Sequence, residues 1–569
     1  MKKTDIFFLL IIFFVNIFFA IHNDIYLNNE QYGYWYFNKI LVSDFLFPDL
    51  SRSPLYTIYI SLFNWLQFPY NMMADATFTN TIACFSIYLL FKDKLNFAFI
   101  FLVIFFSLGF IYNQVPYPQA MAFAFANFAI FFRKKNYNQY LVYIFLICAV
   151  YFRITYILVF FIFLLIDLTK IAFNKEKNKI KKLLNIFSIL VIFLISSEFI
   201  NHNLSSSKFN NGYFNSLKWS PTKSNSNVDI AFILNYNYLY IEKNNKNLQN
   251  TEKDYYFTNK QLFNDAQSIE DAFISNPKFF FWGIVKNSLH IPAIIVNKFQ
   301  LRNLLPDCKH GHSCLSNHMF ITFGSLLFIF TMYFYFLHKH FLKKKNLKIL
   351  DDDYLIYGIS NLFLIFITVL AMPKIRYMMP FFFFILPMII ISHEIIKNKI
   401  KNSTLVNITT FCFIFSFSFF SFNLNFYKNF YSNFETGNYY KIFKKYNDDI
   451  RKINDEIKAC SSILVDSPTI ILAFTNYTES KIKTFSEIPP FGNYKKNNKL
   501  SLAESMDIQC VLLNDSLLSS MGSNRGVGPN YQLRRTNYLL PFLTFNETNL
   551  LKSYKSNNLG ELLIYRNIK

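Results

Sequence analysis

The sequence predicts an α-helical polytopic membrane protein with about 11 transmembrane helices and a small extracytoplasmic α/β domain at its carboxyl end. Hydrophobic residues make up 53% of the 569 residues while 16% are charged, so long apolar runs coexist with polar stretches. Lysine and arginine collect between the apolar runs. After residue 422 the long runs give way to short ones separated by polar segments. These three observations carry the fold prediction.

The apolar runs are long enough to cross a bilayer. A hydrocarbon core about 30 Å thick is crossed by roughly 20 apolar residues in a helix. Because Phe18-Phe19-Ala20 lacks a small residue two positions before the alanine, the first run is predicted to be a retained anchor and not a cleaved signal peptide. The predicted spans cover approximately residues 6–21, 72–91, 95–112, 118–132, 138–151, 154–168, 183–200, 319–338, 354–372, 377–395 and 404–422.

Basic residues set the predicted orientation. Cytoplasmic loops next to spans carry an excess of Lys and Arg, and every second connection does so here. With the amino terminus in the cytoplasm and an odd number of spans, the carboxyl terminus is predicted to lie outside. Nucleic acid is excluded as the partner behind the net charge of +22, because the lysines flank the spans. The basic clusters are Lys2 and Lys3, Lys92 and Lys94, Arg133 to Lys135, and residues 175–182, 343–345 and 397–401.

The predicted topology divides the chain into a membrane domain, residues 1–422, and an extracytoplasmic α/β domain, residues 423–569. Two outer loops, 22–71 and 201–318, belong to the membrane domain. In the first loop, residues 54–66 are apolar but cover only about two-thirds of a span. We therefore expect them to form an interfacial helix on the outer leaflet.

The predicted carboxyl-terminal domain contains three short apolar runs that are typical of strands. They cover residues 461–466, 510–514 and 561–566, and a helix is predicted over residues 441–458. Cys460 and Cys510, each beside a predicted strand, form a candidate disulfide. Cys308 and Cys314 form a second candidate pair in the loop 201–318, although the intervening His310 and His312 leave a zinc site as the alternative.

Four segments border the predicted spans on their outer side. In order and spacing they resemble segments of the GT-C superfamily of membrane glycosyltransferases, in particular bacterial relatives of the dolichyl-phosphate-mannose-protein mannosyltransferases. The resemblance covers most of the chain. The segments are Asn29-Glu30-Gln31-Tyr32-Gly33-Tyr34-Trp35-Tyr36, Arg52-Ser53-Pro54-Leu55-Tyr56, Tyr151-Phe152-Arg153-Ile154-Thr155 and Lys374-Ile375-Arg376-Tyr377-Met378-Met379-Pro380.

This resemblance implies a polytopic enzyme of the bacterial inner membrane, with membrane lipids around it. Such an enzyme moves a sugar from a polyprenyl-phosphate-linked donor to a cell-envelope acceptor, which is a lipid, glycan or protein. Two positions depart from the family pattern: Asn29 replaces the first residue of an acidic pair, and Gln119 stands where a further acidic residue is usual. Hard cations prefer several anionic oxygen ligands, so no metal site is predicted and a divalent cation stays only an open alternative.

The chemistry requires a base for the acceptor and a cation for the leaving phosphate. Glu30 is the leading candidate for the general base, with Asp44 and Asp49 as alternatives in the same loop. Arginine matches phosphate geometry and keeps its charge near lipid, although snorkelling to headgroups is the alternative role. Asp75 and Glu198 are candidate partners for these arginines. The predicted donor-binding residues are Arg52, Tyr56, Arg153, Lys374, Arg376 and Tyr377.

Two other protein classes remain alternatives. An O-antigen-type polymerase or ligase also has about a dozen spans and a large outer loop, and would rely on Arg and His in that loop. A transporter or flippase of envelope lipids would show charged or helix-breaking residues in mid-span and two related halves. The sequence contains no internal repeat of that kind.

Overall fold

The computed structural model describes residues 3–22, 53–66, 70–93, 117–135, 139–173, 179–203 and 269–298, five strands of the carboxyl-terminal segment, and isolated positions elsewhere. Within this part the chain is mainly helical. The helices are α1 (Lys3–His22), α2 (Pro54–Ile60), α3 (Tyr70–Phe91), α4 (Tyr117–Lys134), α5 (Gln139–Phe152), α6 (Ile157–Phe173), α7 (Lys179–His202), α8 (Ile269–Ser275) and α9 (Pro277–Lys298). Single 3₁₀ turns, Ser61–Phe63 and Ile154–Tyr156, follow α2 and precede α6.

Four segments of the described chain are long and apolar enough to cross a membrane: Lys3–Ala20, Tyr70–Phe91, Ile154–Ala172 and Ile180–Ile200. They confirm the spans predicted at 6–21, 72–91, 154–168 and 183–200 as helices of that kind. Helices α4 and α5 occupy two further predicted spans, but α5 has only 14 residues. The predicted spans 95–112, 319–338, 354–372, 377–395 and 404–422 lie outside the described residues, apart from isolated positions.

The outward faces of these helices are apolar. On α1 the large exposed side chains recur every three or four residues, which is one helix face, and α7 exposes a similar set. Exposed apolar faces of this size are unusual on proteins surrounded by water and fit a lipid environment. The exposed residues are Ile6, Phe7, Leu10, Phe14 and Phe18 on α1, and Ile180, Leu183, Leu184, Phe187, Ile192, Leu194, Ile195 and Phe199 on α7.

The chain forms two compact units. The first contains residues 1–27, 49–202 and 285–439, and its described helices α1 to α7 form a bundle in which α1 packs on α3, α3 on α4, and α4 on α5. The second contains residues 28–48, 203–284 and 440–569. It includes α8 and a group of buried aromatic side chains in which Tyr236 contacts Phe263, Phe279 and Phe280.

Charged side chains from several helices meet at one end of the bundle, which we call the basic end. Lys92 binds Asp5 at 2.8 Å, and Lys135 binds Asp93 at 2.9 Å. The same end contains an ion pair between Arg133 and Asp167 at 2.6 Å and hydrogen bonds from Tyr143 to Asp167 at 2.8 Å and from Tyr140 to Asn185 at 2.7 Å. The start of α1, the ends of α3, α4 and α6, and the starts of α5 and α7 therefore share this end, in the alternation that the basic clusters predicted.

The carboxyl-terminal segment contains a five-stranded sheet in the order β2-β1-β3-β5-β4. Its strands are β1 (Ser462–Val465), β2 (Lys481–Thr484), β3 (Cys510–Asn514), β4 (Leu550–Ser556) and β5 (Gly560–Arg566). β1 is parallel to β2 and β3, whereas β5 is antiparallel to β3 and β4. A disulfide joins Cys460 to Cys510, with Cα atoms 6.0 Å apart. The helix predicted over 441–458 lies outside the described residues.

Candidate active site

The end of the bundle opposite the basic end carries the short helix α2, in the interval predicted to form an interfacial helix. Pro54 opens it, because its fixed φ suits the first helical position and its missing N–H has no partner there in any case. Ser53 precedes it in the left-handed region, with φ 60°. The backbone N–H groups of Tyr56 and Thr57 donate to the Ser53 carbonyl at 3.0 and 3.1 Å and close the first turn.

Helix α2 and the following turn have two apolar faces. One face, with Tyr56 and Ile60 fully buried, packs on the bundle. The other exposes Ile58, Leu62 and Trp65 by 43, 65 and 79%. A helix that buries one apolar face in protein and offers another to its surroundings is suited to the membrane interface, where Trp is favoured.

Asp75, in the second turn of α3, binds α2 through hydroxyl groups. The Tyr56 hydroxyl lies 2.7 and 2.6 Å from the two carboxylate oxygens of Asp75. The Thr79 hydroxyl donates to Oδ1 of Asp75 at 3.1 Å and lies 3.3 Å from the hydroxyl of Tyr59. Burial, together with the Asp75 carboxylate, raises the pKa of Tyr59 well above its ordinary value, so this hydroxyl keeps its proton.

The turn that carries Arg153 lies beside α2. The ring of Phe152, the residue before Arg153, is 6.5 Å from the ring of Tyr56. Arg153 itself is half-buried, with an extended backbone between α5 and the 3₁₀ turn. On the other side of this turn, the Tyr151 hydroxyl lies 3.0 Å from that of Ser197 near the end of α7. Two predicted donor-binding positions, Tyr56 and Arg153, thus share one end of the bundle.

Several buried polar atoms directly before α2, in the middle of α3 and at the start of α4 have no hydrogen-bond partner within the described structure. They are Ser53 Oγ, both side-chain polar atoms of Asn80, and Oε1 of Gln119. Buried polar atoms in proteins are usually paired, so these atoms are available to water or to hydroxyl groups of a ligand. Gln119 is one of the two positions at which the sequence departs from the pattern that it resembles.

The structure shows how Tyr56 is held within the bundle. Its side chain is fully buried and its hydroxyl binds Asp75, so it supports α2 from within the bundle, while its contact with a donor stays a prediction. Asp75, predicted as a candidate partner for arginine, binds Tyr56 in the described structure. A carboxylate within an apolar run was the available signal, but nothing local indicated its partner. Glu198 is exposed near the end of α7.

Most of the other predicted site residues fall outside the described residues. These are the candidate bases Glu30, Asp44 and Asp49, the donor-binding candidates Arg52, Lys374, Arg376 and Tyr377, and the cysteines Cys308 and Cys314. In the described part, no group of three or more His, Cys, Asp or Glu side chains could hold a metal ion.

No family model matches the chain, and no curated protein matches it significantly. The family resemblance therefore rests on the four sequence segments alone.

Proposed function

We propose that this protein is a membrane glycosyltransferase that moves a sugar from a polyprenyl-phosphate donor to a cell-envelope acceptor. The proposal places the reaction at the end of the bundle that carries α2, on the outer face of the bacterial inner membrane. It retains the GT-C-like architecture of about 11 spans and an extracytoplasmic α/β domain predicted from the sequence.

The combination of features around α2 is the observation that supports this proposal. Helix α2 is anchored to α3 by Tyr56 and Asp75, and the same end holds the turn of Arg153. The chain immediately before α2 contains Arg52, and the exposed face of α2 is apolar. A lipid-linked phosphate needs this combination: an apolar surface for its polyprenyl chain and guanidinium groups for its phosphate at the membrane surface.

The proposed reaction breaks the bond between the sugar C1 and the phosphate oxygen. An acceptor hydroxyl or amine attacks C1 as Glu30 takes its proton, and polyprenyl phosphate leaves. Arg52 and Arg376 stabilise the charge on the departing phosphate. Neither Asn29 nor Gln119 can accept a proton at ordinary pH, so Glu30 is the carboxylate that remains in the segment resembling the family's acidic pair.

Replacing Glu30 by Gln tests the proposal. Glutamine preserves size and most hydrogen bonding but is not basic, so turnover of a labelled polyprenyl-phosphate sugar should fall by about 10²–10⁴ while donor binding is nearly unchanged. The measurement is release of polyprenyl phosphate by the full chain in lipid nanodiscs.

Asp44→Asn and Asp49→Asn are the matched controls, since each removes one carboxylate from the same loop. Loss of turnover in either control, with Glu30→Gln unaffected, would move the base to that residue. No polyprenyl phosphate released by the unaltered protein from any donor sugar would refute the proposed function, and an O-antigen-type polymerase or ligase would then be the next class to assay.

A further inference from the structure

We infer that Asp75 is a positioning residue that holds α2, through Tyr56, in the conformation that binds the donor. The effect on the donor rests on the proposed function, whereas the anchoring of α2 does not. Asp75 is fully buried in α3 and so does not touch an acceptor or donor at the protein surface. Its influence on α2 passes through the Tyr56 hydroxyl that binds it.

The contact between Tyr56 and Asp75 is a polar link from α2 to the bundle. Both oxygens of Asp75 lie within 2.7 Å of the Tyr56 hydroxyl, and Thr79 orients the same carboxylate from one turn further along α3. Hydrogen bonds to a carboxylate are about twice as strong as those between neutral groups. Aromatic rings also connect this segment to the bundle, Tyr56 of α2 with Phe152 at 6.5 Å and Phe63 of the following 3₁₀ turn with Phe78 at 5.5 Å, but ring contacts do not fix one orientation.

Anchoring matters because α2 is short. Its helix has seven residues, too few to be stable alone in water. Ser53, directly after Arg52, adopts a left-handed backbone that a serine rarely takes. Docking by Tyr56 holds this strained residue and the start of α2 in place. Because Arg52 is bonded to Ser53 in the sequence, a protein with undocked α2 should also bind the donor less well.

Hydrogen exchange on the full chain in nanodiscs tests the anchoring directly. In Tyr56→Phe the ring stays and only the hydroxyl is lost, so backbone amides of residues 55–63 should exchange about tenfold faster or more. Asp75→Asn should give a smaller increase, because an amide oxygen still accepts the tyrosine hydrogen bond. The double variant should exchange no faster than Tyr56→Phe.

Tyr88→Phe is the matched control. It removes a buried tyrosine hydroxyl that donates to Asp5 at 3.0 Å, at the basic end of the same helix α3, and should leave exchange in residues 55–63 unchanged. Unchanged exchange in both Tyr56→Phe and Asp75→Asn would overturn the anchoring role.

Kinetics then test the effect on the donor. A population of undocked α2 reduces apparent affinity without altering the docked enzyme, so Tyr56→Phe should raise the donor KM about tenfold with kcat within about twofold. Faster exchange without a change in KM, or a collapse of kcat at constant KM, would overturn the positioning role. If the unaltered protein transfers no sugar, the proposed function fails while the exchange data still decide whether Asp75 anchors α2.

Discussion

Tyrosine hydroxyls are the recurrent partners of buried carboxylates in this protein. Tyr56 binds Asp75, Tyr88 binds Asp5, and Tyr143 binds Asp167. Tyrosine suits this use because its ring packs among apolar side chains while its hydroxyl reaches a polar partner. Some of the abundant aromatic residues therefore pack in the core and also bind buried carboxylates.

Gly283 gives a prediction for a single residue. A Cβ atom there would lie 2.7 and 2.8 Å from Cζ and the hydroxyl oxygen of Tyr236, whose hydroxyl donates to the Phe280 carbonyl at 3.0 Å. Gly283→Ala should therefore destabilise the packing of Tyr236 on α9 by about 1–3 kcal/mol, measured as faster hydrogen exchange in residues 277–284. Ser288→Ala, at an exposed position of α9, is the control. Equal exchange in the two variants would contradict the close contact.

Helices of the bundle are joined at the basic end by ion pairs of unequal burial. Arg133 and Asp167 form a two-pronged pair that is largely buried, with added hydrogen bonds from Tyr143 and Gln139. Lys135 and Asp93 form a half-exposed pair. Breaking a buried pair leaves an uncompensated charge, whereas an exposed pair contributes little.

Comparing the two pairs gives a prediction for the contact between α4 and α6. Asp167→Asn should lower the free energy of unfolding by about 3 kcal/mol, and Asp93→Asn by less than about 1 kcal/mol, in thermal unfolding of the protein in detergent. The hydrogen bond from Lys135 lowers the pKa of Asp93, so its small contribution is present at neutral pH and is lost as the pH falls through that lowered pKa. Equal losses in the two variants would mean that burial does not distinguish the pairs.

Across the whole molecule, the shared basic end predicts the orientation of the chain. Lys92, Arg133 and Lys135 lie together, and the positive-inside rule assigns such an end to the cytoplasm. A reporter that is active only in the cytoplasm should be active when it is fused near Lys179. A reporter that is active only outside the cytoplasm should be active when it is fused after Lys569. The opposite pattern in a paired-reporter assay would reverse the side on which the proposed reaction takes place.

The long helices could be predicted because the length of an apolar run and the lysines beside it are read from the local sequence alone. α3, for example, covers Tyr70–Phe91 against a prediction of 72–91. α9 was missed within a predicted loop because Lys278, Lys286 and Asn287 interrupt its apolar residues. β2 was missed because lysine alternates with isoleucine there.

The candidate site was less accessible to sequence reasoning than the spans. The sequence predicts Tyr56 as a donor-binding residue but does not indicate its partner Asp75, which lies 19 positions away on another helix. Only the packing of α2 on α3 brings the two together. The same limit applies to the hydrogen bond between Tyr357 and Asn127, at 2.8 Å, which joins a position in the predicted span 354–372 to α4.

The contact between Asp5 and Lys92 constrains the order in which the chain can assemble. The two residues are 87 positions apart, and ribosomes add about 5–20 residues per second, so Lys92 is made roughly 4 to 17 seconds after Asp5. During that interval the carboxylate of Asp5 and the ring of Phe8, which later stacks on Tyr88 at 4.4 Å, have no α3 to bind. Until the second long helix is made, the first one lacks these two partners, and a chaperone or a protease has its readiest access to the first helix in that interval.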